Sequence, residues 1–200
     1  MISIDKSCFI GAGLHRHVYV HPDNPDYCIK IVVKGDDSES KREQSYYRHL
    51  QHRDISWKML PRFIGNEETD LGNGAIFELV RDADSNISHT LEYYLNSPEL
   101  TAANATGIVH ALRELEEYLL SNRVITMTLK PKNIMYQRIS SNSGCLVIID
   151  NIGNSDLLPL ANYCRPIAKM KIARKWQRFI QSMRTEYADS RPLQECLDRL

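Results

Sequence analysis

Two hundred residues carry 25 basic and 25 acidic side chains, a formal net charge of zero. The length fits one domain or two small lobes, and it suffices to bury a core without disulfide or metal staples. With 42% hydrophobic and 25% charged residues the composition is that of a globular protein, and zero net charge removes the electrostatic case for a nucleic acid or an anionic membrane as partner.

The cysteines are Cys8, Cys28, Cys145, Cys164 and Cys196. Their number is odd and no pair forms C-x-x-C, so reduced thiols are expected rather than a disulfide framework or a zinc site. Residues 1–17 lack the apolar stretch of a signal peptide, and no apolar run reaches the ~18–20 residues of a membrane helix. The expected location is the cytoplasm, without a membrane span.

In chain order, residues 3–10 form a candidate strand that Gly11-Ala12-Gly13 breaks. Residues 18–20 resume a strand, 21–26 make a dense turn, and 27–33 form a third strand rich in β-branched residues. Short turns between the three predict an antiparallel meander. Residues 40–51 read as a helix opened by a capping box, Ser40-x-x-Glu43. Residues 61–65 and 75–80 are short strands, with a hairpin-like turn at 71–74. The polar run 81–86 is a candidate hinge. Ser97-Pro98-Glu99 opens the clearest helix, 98–120, in which Ile108, Val109, Leu112, Leu115 and Leu119 share a face. A loop at 126–133 precedes short strands at 134–136 and 146–149, with a polar tip at 140–144. A helix at 165–183 and a last one from about Arg191 end the chain. The basic residues Lys169, Lys171, Arg174, Lys175 and Arg178 read as its wet face. The expected class is α+β: a β-rich lobe with one helix at 1–81, then a short, mainly helical lobe at 82–200.

Four stretches carry chemistry. Gly11-x-Gly13 lies between two strands and on its own reads first as a tight turn; the functional reading is a loop whose glycines let backbone N–H groups approach phosphate. Val18 stands at the valine of the kinase pattern G-x-G-x-x-G-x-V, and Arg16 replaces the third glycine. Lys30, in Cys28-Ile29-Lys30, takes the place of a phosphate-pairing lysine, which needs a helix carboxylate to orient it; Glu43 is the first candidate and Glu39 the second. Residues 126–133, Thr-Met-Thr-Leu-Lys-Pro-Lys-Asn, take the place of the catalytic loop H-R-D-L-x-x-x-N: Leu129 and Asn133 align, Lys130-Pro131 follow a common variant, and Thr126 and Thr128 replace the histidine and the aspartate. Asp150, in Asp150-Asn151-Ile152-Gly153, stands where a metal-binding aspartate would leave a strand. The candidate set is therefore Thr128, Lys130 and Asn133 for catalysis, Gly11, Gly13, Arg16, Val18, Lys30, Glu43 and Glu78 for nucleotide, and Asn133 with Asp150 for Mg²⁺.

With these stretches in this order the chain resembles a protein-kinase-like fold. Over nearly its whole length it resembles the bacterial YrbL family of PhoP regulatory network proteins, on residues 10–19, 28–31, 61–65, 124–134 and 150–153. The resemblance implies a kinase-like nucleotide-binding fold in a cytoplasmic bacterial protein, with ATP and Mg²⁺ as ligands and a small-molecule or protein partner. A threonine hydroxyl cannot replace a carboxylate base, a loss of ~10²–10⁴-fold in rate. Three readings follow: an atypical phosphotransferase, a pseudokinase that binds nucleotide and regulates a partner, or a structural or adaptor domain without nucleotide binding.

Overall fold

A computed structural model describes residues 1–140, 143–154, 156 and 160–200. The chain divides into two compact units, Met1–Arg53 with Pro61–Val80 and Asp54–Leu60 with Arg81–Leu200. The first is a five-stranded antiparallel sheet with one helix, and most helices belong to the second, so the fold class is α+β.

In the first unit the strands are β1 (Phe9–Ala12), β2 (Arg16–His21), β3 (Asn24–Val32), β4 (Phe63–Thr69) and β5 (Gly72–Glu78), in the order β1-β2-β3-β5-β4. The expected strand at 3–10 is mostly a different structure. Asp5 caps a short 3-10 turn, Lys6–Cys8, by accepting the Ser7 N–H, and the strand begins at Phe9 and runs through Gly11. The turn expected at 21–26 narrows to Pro22-Asp23, because His21 already pairs with Asn24. The hairpin turn expected at 71–74 also moves: Thr69 pairs with Gly72, which places Gly72, Asn73 and Gly74 inside β5.

Strand alternation gives the sheet two faces. Ile29, Ile31, Tyr19 and Ile76 point to one, where they pack with Ile4 in an apolar cluster. The other face, which bears Lys30 and Phe77, is covered by helix α1 (Ser38–Gln51). There Tyr47 meets Phe77 edge-on at 5.2 Å, and Gln44 and Asn66 exchange two amide hydrogen bonds of 2.9 Å. The expected capping box does not form. The helix starts two residues earlier, at Ser38. Ser40 lies inside it, accepting from Gln44 Nε2, and Glu43 turns away from the helix backbone to a tertiary partner.

The second unit holds a three-stranded antiparallel sheet, β6 (His89–Thr90), β7 (Ile134–Ser140) and β8 (Ser143–Ile148), in that order. Its helices are α2 (Leu91–Leu95), α3 (Pro98–Asn122), α4 (Leu160–Tyr163), α5 (Arg165–Glu186) and α6 (Arg191–Leu197). The Ser97 hydroxyl caps α3 by accepting the Leu100 N–H, as its sequence predicts. Ile108, Leu112 and Leu115 are fully buried on the face that packs against β8, α5 and α6. Each such side chain contributes roughly 1.5–3 kcal/mol of burial free energy. Helix α2 and strand β6 have no counterpart in the sequence reading: both are too short to show a period. The expected polar tip at 140–144 falls partly outside the described residues.

Residues 54–60 belong with this second unit although both flanks belong to the first. The Ser56 N–H donates to Asn122 Oδ1 at 2.9 Å, Tyr118 donates its hydroxyl to the Ser56 carbonyl at 2.6 Å, and Met59 O accepts the Ile148 N–H at 3.0 Å. At the start of the unit's second segment Asp82, with a buried carboxylate, accepts from Ser88 Oγ, Arg138 N and Arg138 Nε at 2.6, 2.9 and 2.6 Å. The polar run after Val80 is thereby fastened to β7.

Candidate functional site

In the first unit the glycine stretch forms the tip of the β1–β2 hairpin. The Gly13 N–H donates to the Arg16 carbonyl at 2.7 Å, and Gly11 pairs with Val18. A Cβ on Gly11 would meet no atom within 4 Å, and one on Gly13 only the Arg16 carbonyl oxygen, at 3.6 Å. Internal packing therefore demands neither glycine, and the backbone there is open to close approach from outside.

Cross-strand partners share a face. Arg16 opposes Val32, Val18 opposes Lys30, and Lys30 opposes Ala75, so Arg16, Val18 and Lys30 lie on the face that α1 covers. Lys30 is buried, with Nζ 4.3 Å from the centroid of the Phe77 ring. Beside it, burial pushes the Cys28 thiol pKa above its ordinary value, against the pull of the Lys30 charge. The Arg16 guanidinium pairs with Glu43 Oε2, while Glu43 Oε1 is buried without a hydrogen-bond partner among the described residues. Glu39, the second candidate, is exposed in the first turn of α1. Glu78, at the end of β5, accepts the Arg62 N–H on Oε2 at 2.8 Å. The structure thus pairs Arg16 with Glu43, sets Val18 and Lys30 on the same sheet face as Arg16, and places Glu78 on the β4 entry.

In the second unit the loop at 126–133 and the segment around Asp150 are tied by backbone hydrogen bonds. Thr126 bridges Ile152, the Met127 N–H donates to the Asn151 carbonyl at 2.7 Å, and the Gly153 N–H donates to the Ile125 carbonyl at 2.9 Å. A further bond of 2.9 Å runs from the Ile149 N–H to the Asn133 carbonyl. Thr126 and Asn133 are buried, whereas Thr128 and Lys130 are exposed. Pro131–Asn133 form a 3-10 turn that leads into β7. Asp150 accepts the Asn151 N–H on Oδ1 at 2.7 Å. Asn151 is left-handed, with φ 61°, a conformation Asn tolerates better than most residues. Asn133 and Asp150, the proposed Mg²⁺ ligands, offer the oxygen donors that ion takes, one or two at a time beside phosphates and water.

Two lysines read from the sequence as a wet face turn inward instead. Lys175 donates to the Met127 carbonyl, and Lys171, buried, contacts Asn154 Oδ1 and Asp156 Oδ2, the latter at 2.6 Å. One helical turn apart on α5, they fasten the loop and the segment after Asp150. Burial holds the Lys175 pKa below its ordinary value, with Lys171 adding to the effect. The spacing of four was visible in the sequence, but nothing there showed which cations face inward.

Together these units define an α+β protein whose chemistry-bearing residues gather on one hairpin-and-helix face and on one pair of hydrogen-bonded loops. The chain belongs to the family described as PhoP regulatory network protein YrbL, whose model matches residues 2–184. It is 38% identical over 183 residues to the proteins YrbL of Escherichia coli (strain K12) and of Shigella flexneri, across 90% of this chain and 87% of each relative. Ribosomal protein S6 kinase alpha-1 from Mus musculus is more distant, 28% identical over 130 residues that span 64% of this chain and 16% of the kinase. Among the described residues no helix is long and apolar enough to cross a membrane.

Proposed function

We propose that this chain is a cytoplasmic, kinase-like protein that binds ATP with Mg²⁺ and acts as an atypical phosphotransferase in PhoP-linked regulation. The carrying observation is the backbone pairing of the loop at 126–133 with the Asp150 segment, which sets two oxygen-donor side chains and Thr128 on adjoining strands of chain. The limited similarity to a ribosomal protein S6 kinase supports the same reading. In it, Lys30 holds phosphate with Glu43 as its orienting carboxylate, and the open hairpin at Gly11 and Gly13 lies over the phosphates. Asn133 and Asp150 hold the ion, which supplies charge neutralisation at the transferring phosphoryl group. Thr128 orients a substrate hydroxyl by hydrogen bonding, and Lys130 offers a cation to the transferred group.

Thr128 also favours a second reading, a pseudokinase that holds nucleotide without turnover, because no carboxylate occupies the position of the base. Calorimetry or a thermal shift with ATP and Mg²⁺ tests the shared part. At about 100-fold above Kd, binding stabilises the fold by ~2.7 kcal/mol. Asp150→Ala should shrink that shift, and absence of any shift in the unaltered protein overturns both readings. Labelled ATP separates them: transfer or phosphate release supports the phosphotransferase, and tight binding without turnover supports the pseudokinase.

A further inference from the structure

A buried carboxylate with one oxygen paired and the other unsatisfied is an unusual arrangement, because a buried charge ordinarily recruits donors to both. Glu43 is such a group. Its side chain is 2% exposed, Oε2 is held by Arg16, and Oε1 has no hydrogen-bond partner among the described residues. Arg16 belongs to the glycine hairpin and Glu43 to α1, so the pair ties those two elements to each other. Arg16 also occupies the position where the kinase pattern has its third glycine. A glycine there would leave the hairpin free of the helix. The strand register sets Lys30 on the same sheet face as Arg16, two residues along from the Arg16–Val32 pair, and α1 lies over that face.

We propose that Arg16 is a positioning residue of the nucleotide site: it holds Glu43 by Oε2 so that Oε1 receives the Lys30 ammonium when a nucleoside triphosphate binds. This inference rests on the nucleotide-binding reading above. One carboxylate then serves two cations, each through its own oxygen. The guanidinium suits the fixed half of the arrangement, since its donors are planar and rigid, whereas the ammonium on its flexible stem suits the half that closes. A movement of the hairpin over the phosphates is carried to α1 through the Arg16–Glu43 pair, so nucleotide occupancy is felt by the helix.

The test is a double-mutant cycle on MgATP affinity, measured by calorimetry on the full chain with the wild type, Arg16→Gln, Lys30→Met and the double variant. Arg16→Gln should weaken binding about tenfold, the value of one charge-assisted hydrogen bond. It should add little on top of Lys30→Met, because it acts through the same carboxylate. Arg16→Lys should restore most of the loss. Wild-type affinity in Arg16→Gln overturns the proposal. Tighter binding also overturns it, since Arg16 would then compete with Lys30. Full additivity with Lys30→Met overturns it as well, since Arg16 would then act on phosphate directly. If Arg16→Gln fails to fold, the isosteric Glu43→Gln carries the test and should lose as much affinity as Lys30→Met; an unchanged affinity refutes the proposal. A wild-type chain that binds no MgATP fails at an earlier point: the nucleotide reading itself falls, and this inference with it.

Discussion

The Met127 N–H donates to the carbonyl of Asn151 at 2.7 Å, joining the loop that carries Thr128 to the segment that carries Asp150. The carbonyl is presented by a residue at φ 61°, and the next turn is completed by Gly153 at φ 136°. Asn151→Ala should therefore cost about 1 kcal/mol in a urea melt, because alanine keeps the Cβ strain of left-handed backbone and loses the polar side chain by which Asn offsets it, while Asn151→Gly, with no Cβ, should cost less. Equal losses in the two variants would place the effect in the amide side chain.

Gly144 and Gly11 should respond oppositely to the same substitution. A Cβ on Gly144 would sit 2.5 Å from the buried ring of Tyr136 and 2.9 Å from the Gln137 carbonyl oxygen, whereas one on Gly11 would meet nothing within 4 Å. Gly144→Ala should lose about 2 kcal/mol by overpacking. Gly11→Ala should keep its urea midpoint, and on the proposed reading it should weaken ATP binding.

Asp82→Ala removes an acceptor shared by Ser88 and two donors of Arg138. The Arg138 side chain is 43% exposed, so water can recover its charge, but the backbone N–H and the buried hydroxyl lose their partner. A loss of about 2 kcal/mol is expected by denaturant melt, largely from those unsatisfied groups.

Lys175 gives a pH signature. Its folded pKa lies below its ordinary 10.5, so the folded state binds fewer protons than the unfolded chain between the two values. Stability from this group therefore rises with pH through that window and is flat above it. The stability difference between wild type and Lys175→Met should move in favour of the wild type as pH rises toward 10.5. A difference that does not change with pH would remove the burial cost assigned to this ammonium.

Thiol labelling should divide the five cysteines. Cys28, Cys145 and Cys196 are buried with pKa values raised by that burial, while Cys8 and Cys164 are partly exposed. At pH 8 an alkylating reagent should modify Cys8 and Cys164 in the native protein, and the other three only after denaturation.

Much of the architecture was legible because it rests on local signals: the N-cap of α3, the β-branched run of β3, and the glycine hairpin. What the sequence concealed rests on tertiary competition. Ser40-x-x-Glu43 matches a capping box, yet a guanidinium from another element takes the Glu43 carboxylate, and the helix starts earlier. Lys171 and Lys175 have the composition of a solvated face, and only the packing of α5 reveals that they point inward. Asp82 lies in a run that reads as an unstructured hinge, and its partner Arg138 is 56 residues away, beyond any periodicity. Glu43 is legible in the sequence as the first carboxylate candidate on that helix, whereas its guanidinium partner is not.

The placement of residues 54–60 bears on how this chain is made. A ribosome-bound chain that has emerged as far as Val80 holds every residue of the first unit, together with seven that have nowhere yet to go. Among those seven, Ile55, Met59 and Leu60 are buried in the finished protein, and the segment's hydrogen bonds run to Tyr118, Asn122 and Ile148, chain not yet synthesised. Until α3 and β8 emerge, that apolar segment stays in water as a target for chaperones. A fragment cut at residue 80 would carry the same liability permanently, and should be recovered soluble only when those three side chains are made polar.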